Sequence, residues 1–223
     1  MVRVLHKFSD GAGHYVASRQ ALHDKLLAKL FSPEAIAAAT PAPGEKPTLT
    51  LLGGRGGSGK SWFTRDSKSP VVKGSLVINS DDFKEQMPEY KGWNADVVHE
   101  ESSHLAGQAM EMAQWLGLNV VYDATMRNPG TFRRLIPAFK DAGYKVDCFF
   151  IHTAPHVAAV RAVKRFMSGG GAEGGGRWVP PDIILASQTN ETTFEEMKAK
   201  SNRWALYDGN RNGPPHRCAK GGR

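Results

Sequence analysis

The chain has 223 residues, of which 40% are hydrophobic and 23% charged, enough to bury a core in one compact domain and too apolar for bulk disorder. Its net charge of +7 fits a nucleic-acid partner, a polyanionic small substrate or a plain basic surface. The basic residues are scattered rather than striped with aromatics, which argues against a nucleic-acid platform. The opening Met1 to Lys7 has no apolar signal core and no stretch of about eighteen apolar residues occurs anywhere, so a cytoplasmic protein without a membrane span is expected. Cys148, in the mostly apolar run Val146 to Ile151, and Cys218, in a polar tail, are expected to be reduced thiols with no disulfide and no metal cluster.

In chain order, Val16, Leu22, Leu26, Leu27 and Leu30 recur at loosely helical spacing and an Ala-rich stretch follows, before Pro41-Ala42-Pro43-Gly44-Glu45-Lys46-Pro47. Residues 1–46 therefore read as a helical extension and linker. The apolar run Thr48 to Leu52 predicts a strand over 48–53, and it leads directly into Gly54-Arg55-Gly56-Gly57-Ser58-Gly59-Lys60-Ser61 and a helix over 59–66. That order is a phosphate-binding loop. Glycines let successive N–H groups point inward at an anion, Lys60 carries charge to the outer phosphates, and the Ser61 hydroxyl is placed to ligate Mg²⁺. Gly54, Gly56, Gly57, Ser58, Gly59, Lys60 and Ser61 are thus the expected nucleotide contacts, with Arg55 expected to face solvent.

A strand over 75–79 runs into Ser80-Asp81-Asp82-Phe83-Lys84, placing a carboxylate at the C-terminal end of a parallel strand, where ligands of such sheets gather. Asp81 is the candidate general base; a helix N-cap is the alternative, a role that Asp82 or Ser80 would fill equally well. The next helix, over about 94–117, begins with His99-Glu100-Glu101-Ser102-Ser103-His104. Its histidines are five apart and do not share a helix face, so a metal site is not expected, and Glu101 is either solvated or turned toward substrate. The strand over 119–123 ends in Asp123, which either steadies a metal ion, caps the following turn, or holds acceptor hydroxyls together with Thr125 and Arg127.

A helix over 129–142, a strand over 144–152 and a helix over 155–167 follow. Two glycine triplets then surround a spacer between residues 168 and 176, flanked by Arg165 and Arg177. This is a lid that carries cations over a bound phosphate, or an inert linker. A helix over 181–201, a strand near 203–208 and a disordered basic tail from Asn210 complete the order. The alternation predicts an α/β fold, a parallel sheet with helices on both faces.

The phosphate loop, Asn79 to Lys84, His99 to Ser102, Asp123-Ala124-Thr125-Met126-Arg127, and Arg165 followed by Gly176-Arg177-Trp178-Val179-Pro180 together resemble the zeta toxin family of P-loop kinases over residues 48–208. The resemblance implies a kinase that uses ATP and Mg²⁺ to phosphorylate a sugar hydroxyl of UDP-N-acetylglucosamine, often opposed by a small antitoxin. It makes Asp81 the base, Lys60 the phosphate-binding lysine, and Arg165 and Arg177 the charge-stabilising arginines. Glu101, Asp123, Thr125 and Arg127 fall on the acceptor side. Asp82 replaces the usual small hydroxyl residue and Ala124 a common glycine, and both touch the acceptor pocket. No Asn-Lys-x-Asp motif marks a switch GTPase, and the chain is short for a helicase. A P-loop kinase of another acceptor (nucleotide, dinucleotide or polynucleotide end) and a non-catalytic nucleotide-binding module are the remaining readings; the joint presence of Asp81, Lys60, Arg165 and Arg177 counts against the second.

Overall fold

A computed structural model describes residues 7–10, 14–169 and 177–222. The elements are α1 (Ala17–Leu30), α2 (Pro33–Ala39), β1 (Thr48–Gly53), α3 (Ser61–Arg65), β2 (Leu76–Ile78), α4 (Ser80–Lys84), α5 (His99–Trp115), β3 (Val120–Asp123), α6 (Pro129–Asp141), β4 (Lys145–His152), α7 (Pro155–Ser168), α8 (Pro181–Ala186), α9 (Thr189–Lys198), β5 (Arg203–Asp208) and β6 (His216–Gly222). Six strands form one sheet in the order β2-β3-β1-β4-β5-β6. The first five are parallel and β6 runs antiparallel to β5. The sheet is thus mostly parallel and flanked by helices, as the alternation of strands and helices predicts.

Every residue of β1 is buried, as the centre of a sheet covered on both faces requires. Side chains alternate by the two-residue period of a strand. Leu49 and Leu51 of β1 and Val146, Cys148 and Phe150 of β4 join a large cluster with residues of α1, α2, α5, α6 and α9. Leu52, Phe149 and Ile151 face the other way and pack with Phe63 of α3. Both cysteines are free, Cys148 buried and Cys218 exposed. Among the described residues no helix is long and apolar enough to cross a membrane.

The N-terminal extension carries the helices α1 and α2, and it packs on the body: Leu26, Leu27, Phe31 and Ala39 belong to the main cluster. Two expectations are corrected. The tail is not disordered where described; residues 216–222 satisfy the free edge of β5, with Tyr207 opposite Arg217 and Ala205 opposite Lys220. The helix expected over 181–201 breaks at Ser187 and Gln188 into α8 and α9, with Ser187 in an extended conformation (φ −76°, ψ 101°). The segment from 170 to 176, where the glycine-rich lid was expected, lies outside the described residues.

Candidate active site

The tips of β1, β2 and β3 lie side by side, so the loops leaving these three strands meet at one end of the sheet. After β1 comes the phosphate loop. Gly54 has φ +143° and Gly57 φ +84°, backbone that L side chains rarely adopt. A Cβ on Gly54 would sit 2.6 Å from Ser58 Oγ, and one on Gly57 2.5 Å from the Ala158 carbonyl. The loop is thus drawn tight against the start of α7. Ser58 Oγ is buried with no partner, as suits a concavity lined for anionic oxygens. Lys60 Nζ donates to the carbonyls of Gly54 (2.7 Å) and Arg55 (3.2 Å).

After β2, Asn79 is extended and its Oδ1 accepts from the Asp81 N–H at 2.9 Å. Asn79 therefore caps α4, rather than Ser80, Asp81 or Asp82, and the Asp81 carboxylate is left for the cleft. It pairs with Lys84 Nζ at 2.9 Å and with the Arg177 guanidinium. Burial works to raise its pKa, but Arg177, Lys84 and Lys60 outweigh burial and hold it below the usual carboxylate range. Lys84, itself buried, carried no assigned role in the sequence; its i, i+3 spacing from Asp81 was the available signal.

After β3, Asp123 Oδ1 lies 3.9 Å from Lys60 Nζ. Burial raises the Asp123 pKa, and Lys60 opposes the rise. Asp123 does not cap a helix, since Asn128 caps α6 by accepting from the Gly130 N–H at 3.0 Å, with Pro129 in the first turn. Thr125 and Arg127 are exposed on the loop beyond it. Between them Met126 is buried in the left-handed region (φ 59°), its thioether filling the space that a Cβ on Gly53 would need.

The arginines come from the other flank. Trp178 packs edge-on against Phe166 of α7 with centroids 5.0 Å apart, and its N–H donates to the Gly92 carbonyl at 2.9 Å, anchoring the segment that carries Arg177. Burial lowers the Lys60 pKa, and the charges acting on its ammonium are those of Asp123, Arg177, Asp81 and Arg165. Five of the expected residues thus share one electrostatic neighbourhood. Among the described residues no group of three or more His, Cys, Asp or Glu could hold a metal ion by itself. Ser61 is exposed at the first position of α3, and Asp123 is the last residue of β3; both carry hard oxygen donors of the kind Mg²⁺ prefers.

Two expectations fail here. Arg55 does not face solvent: it is 5% exposed, bonds the Ser187 carbonyl at 2.6 Å, and forms a two-pronged ion pair with Glu191. Glu101 is not brought to the cleft. It is 1% exposed, with Arg19 Nε at 2.6 Å and His23 Nε2 at 2.5 Å on Oε1, and Arg19 Nη2 at 2.9 Å on Oε2. Arg19 also grips Glu89. The partners come from α1, about eighty residues away in sequence, which is why local pattern did not reveal them.

A family model described as zeta toxin matches residues 33–208. The toxin PezT of Streptococcus pneumoniae serotype 4 is 25% identical over 130 residues, an alignment covering 55% of this chain and 51% of PezT, so the chain spans about half the length of that curated relative. A solved chain of the PezAT chromosomal toxin-antitoxin system of Streptococcus pneumoniae superposes with a TM-score of 0.66 at 19% identity, covering 93% of this chain and 82% of that one. A chain of the AvrRxo1-ORF1:-ORF2 structure with ATP gives 0.71 at 22% identity, covering 93% and 68%. These likenesses share the fold described above, and with the family match over most of its length the chain belongs to the zeta toxin family.

Proposed function

We propose that this protein is an ATP-dependent phosphotransferase that moves the γ-phosphoryl group of ATP to a hydroxyl of a UDP-activated amino sugar, UDP-N-acetylglucosamine in the family's pattern. The observation that carries the reading is the convergence of Lys60, Asp81, Asp123, Arg165 and Arg177 beside a glycine-lined phosphate loop. Family membership supports it, as does a structural neighbour solved with ATP.

In this mechanism Asp81 accepts the proton of the acceptor hydroxyl as its oxygen forms a bond to the γ-phosphorus. The bond from that phosphorus to the β,γ-bridging oxygen breaks and ADP departs. Asp81 begins as a weak base, because Arg177 and Lys84 hold it ionised. A phosphoryl group that draws Arg177 away lets the Asp81 pKa rise, strengthening the base as the reaction needs it. Lys60, Arg165 and Arg177 offset the charge spread over the transferring oxygens. Ser61 and Asp123 would hold Mg²⁺, which would supply positive charge to the phosphates. Thr125 and Arg127, at the rim beyond β3, bind the acceptor.

One observation favours a second acceptor class. Glu101, expected to contact the sugar nucleotide, is consumed by Arg19 and His23. A nucleotide, dinucleotide or polynucleotide end is the alternative acceptor. Purified protein with γ-labelled ATP, Mg²⁺ and a panel of UDP-sugars, nucleotides and oligonucleotide ends separates the readings, with mass analysis of the phosphorylated product. Transfer to a UDP-amino sugar is expected; transfer only to another member of the panel selects the second reading, and label in none of them contradicts both. The same reading includes a small antitoxin chain as partner and a cytoplasmic setting, where ATP and sugar nucleotides occur. Neighbours named for a toxin-antitoxin system and an ORF1:ORF2 complex support the partner.

A further inference from the structure

The break between α8 and α9 falls where two loops of the site meet. Ser187 gives its carbonyl to Arg55 in the phosphate loop, and Glu191 pairs with the same guanidinium and lies 3.1 Å from His152 Nδ1 at the tip of β4. From the same turn, Asn190 Nδ2 donates to the Thr125 carbonyl at 2.5 Å and Thr189 Oγ1 to the Arg127 carbonyl at 2.6 Å. Ser187 Oγ closes the turn on Asn190 Oδ1. Asn190 is fully buried.

These bonds are not what docks α9. Phe194 stacks on Phe150 with centroids 5.1 Å apart and Met197 is fully buried in the main cluster, so apolar contact holds the helix from its middle onward. The polar side chains of the first turn reach instead into the donor loop on one side and the loop after β3 on the other.

We propose that the turn Ser187–Glu191 is a positioning clamp that sets the phosphate loop in register with the acceptor loop, with Asn190 and Glu191 as its positioning residues. The inference rests on the phosphotransferase reading. Phosphoryl transfer needs the attacking oxygen within about 3–3.5 Å of phosphorus and in line, and a misplacement of about 1 Å costs on the order of 10²-fold. A single rigid turn bonded to both loops fixes that relation without touching either substrate.

The test is steady-state kinetics on four proteins, wild type, Asn190→Asp, Glu191→Gln and the double variant, with melting curves to establish folding. Asn190→Asp keeps size but turns an acceptor toward the Thr125 carbonyl. It is expected to lower kcat at least tenfold with KM for ATP within twofold. Glu191→Gln removes the charge that pairs with Arg55, leaving its bond to the Ser187 carbonyl, and is expected to raise KM for ATP at least fivefold. In the double variant the loss in kcat/KM is expected to be smaller than the product of the single losses, because one clamp has been broken twice. Wild-type kcat in Asn190→Asp, or losses that multiply, overturns the clamp. Should Asn190→Asp not fold, Thr189→Val at an exposed position reads the same tie, and an undiminished kcat there overturns it. A wild-type protein that phosphorylates no acceptor sinks the kinase reading itself; an active wild type with independent variants sinks only the clamp.

Discussion

The site around Asp81 and the junction around Glu101 are both built from one acid and two or more cations, yet they differ in what else reaches them. Asp81 stands in the first turn of α4, just after β2, partly exposed, ion-paired with Lys84 and Arg177 and in the field of Lys60. Glu101 stands in the first turn of α5 under α1, closed from solvent, with every oxygen taken by Arg19 or His23. The first arrangement leaves charge to be rearranged by a ligand; the second spends it on joining the N-terminal helices to the body. Residue type alone does not separate a working carboxylate from a structural one, whereas access and the origin of its partners do.

The largest effect that sharpens this contrast is expected at Lys60. On the proposed mechanism Lys60→Ala removes a phosphate-facing cation, so ATP binding should weaken and transfer should fall by about 10³-fold or more, on the scale seen when a phosphate-clamping cation is lost. Labelled-ATP turnover and nucleotide titration check it, and unchanged values for both would detach the loop from function. At the other region the loss should be in stability. Glu101→Ala takes the carboxylate from buried His23 and leaves buried Arg19 with Glu89 alone, which is expected to cost about 3–5 kcal/mol by denaturant unfolding. A variant as stable as wild type would show that the junction is not a structural tie.

Acid separates the two regions further. Burial pushes the Glu101 pKa up, but the bonds from His23 and Arg19 outweigh it and hold it below the ordinary glutamate value. A depressed folded pKa gives stability that is present above the unfolded value of about 4.3 and is lost as pH falls through the folded one. Wild type should therefore lose stability faster than Glu101→Gln as pH drops below about 4.3, and parallel curves would contradict the assignment. The smallest effect concerns the cleft: Lys84→Met removes a positive neighbour of Asp81, so the Asp81 pKa should rise and the acid limb of kcat/KM should move to higher pH. An acid limb that stays in place would assign it to another group.

Much of the fold was legible because it is written locally. The Thr48 to Ser61 strand and glycine loop, the apolar β4 run and the Asn128-Pro129 helix start each state their geometry within a few residues, and all three occur where the pattern placed them. The positions of Asp81, Asp123 and Lys60 were legible for the same reason, since the end of a strand fixes where the loop after it begins. The partners of Arg55 and Glu101 were not, because an ion pair between Arg55 and Glu191, or between Arg19 and Glu101, depends on elements that meet only after folding. The break at Ser187 was hidden likewise: Ser187-Gln188-Thr189-Asn190 is a polar cluster of the kind that interrupts helices, but its reason to bend is the guanidinium it receives from the phosphate loop.

The central claim is that Asp81 serves the acceptor while Lys60 serves the nucleotide, and the most direct measurement is kcat and KM for ATP in Asp81→Asn. The account predicts a fall in kcat of at least ~10²-fold with KM for ATP nearly unchanged, in line with loss of a general base. Undiminished kcat, or a loss confined to ATP affinity, would contradict it.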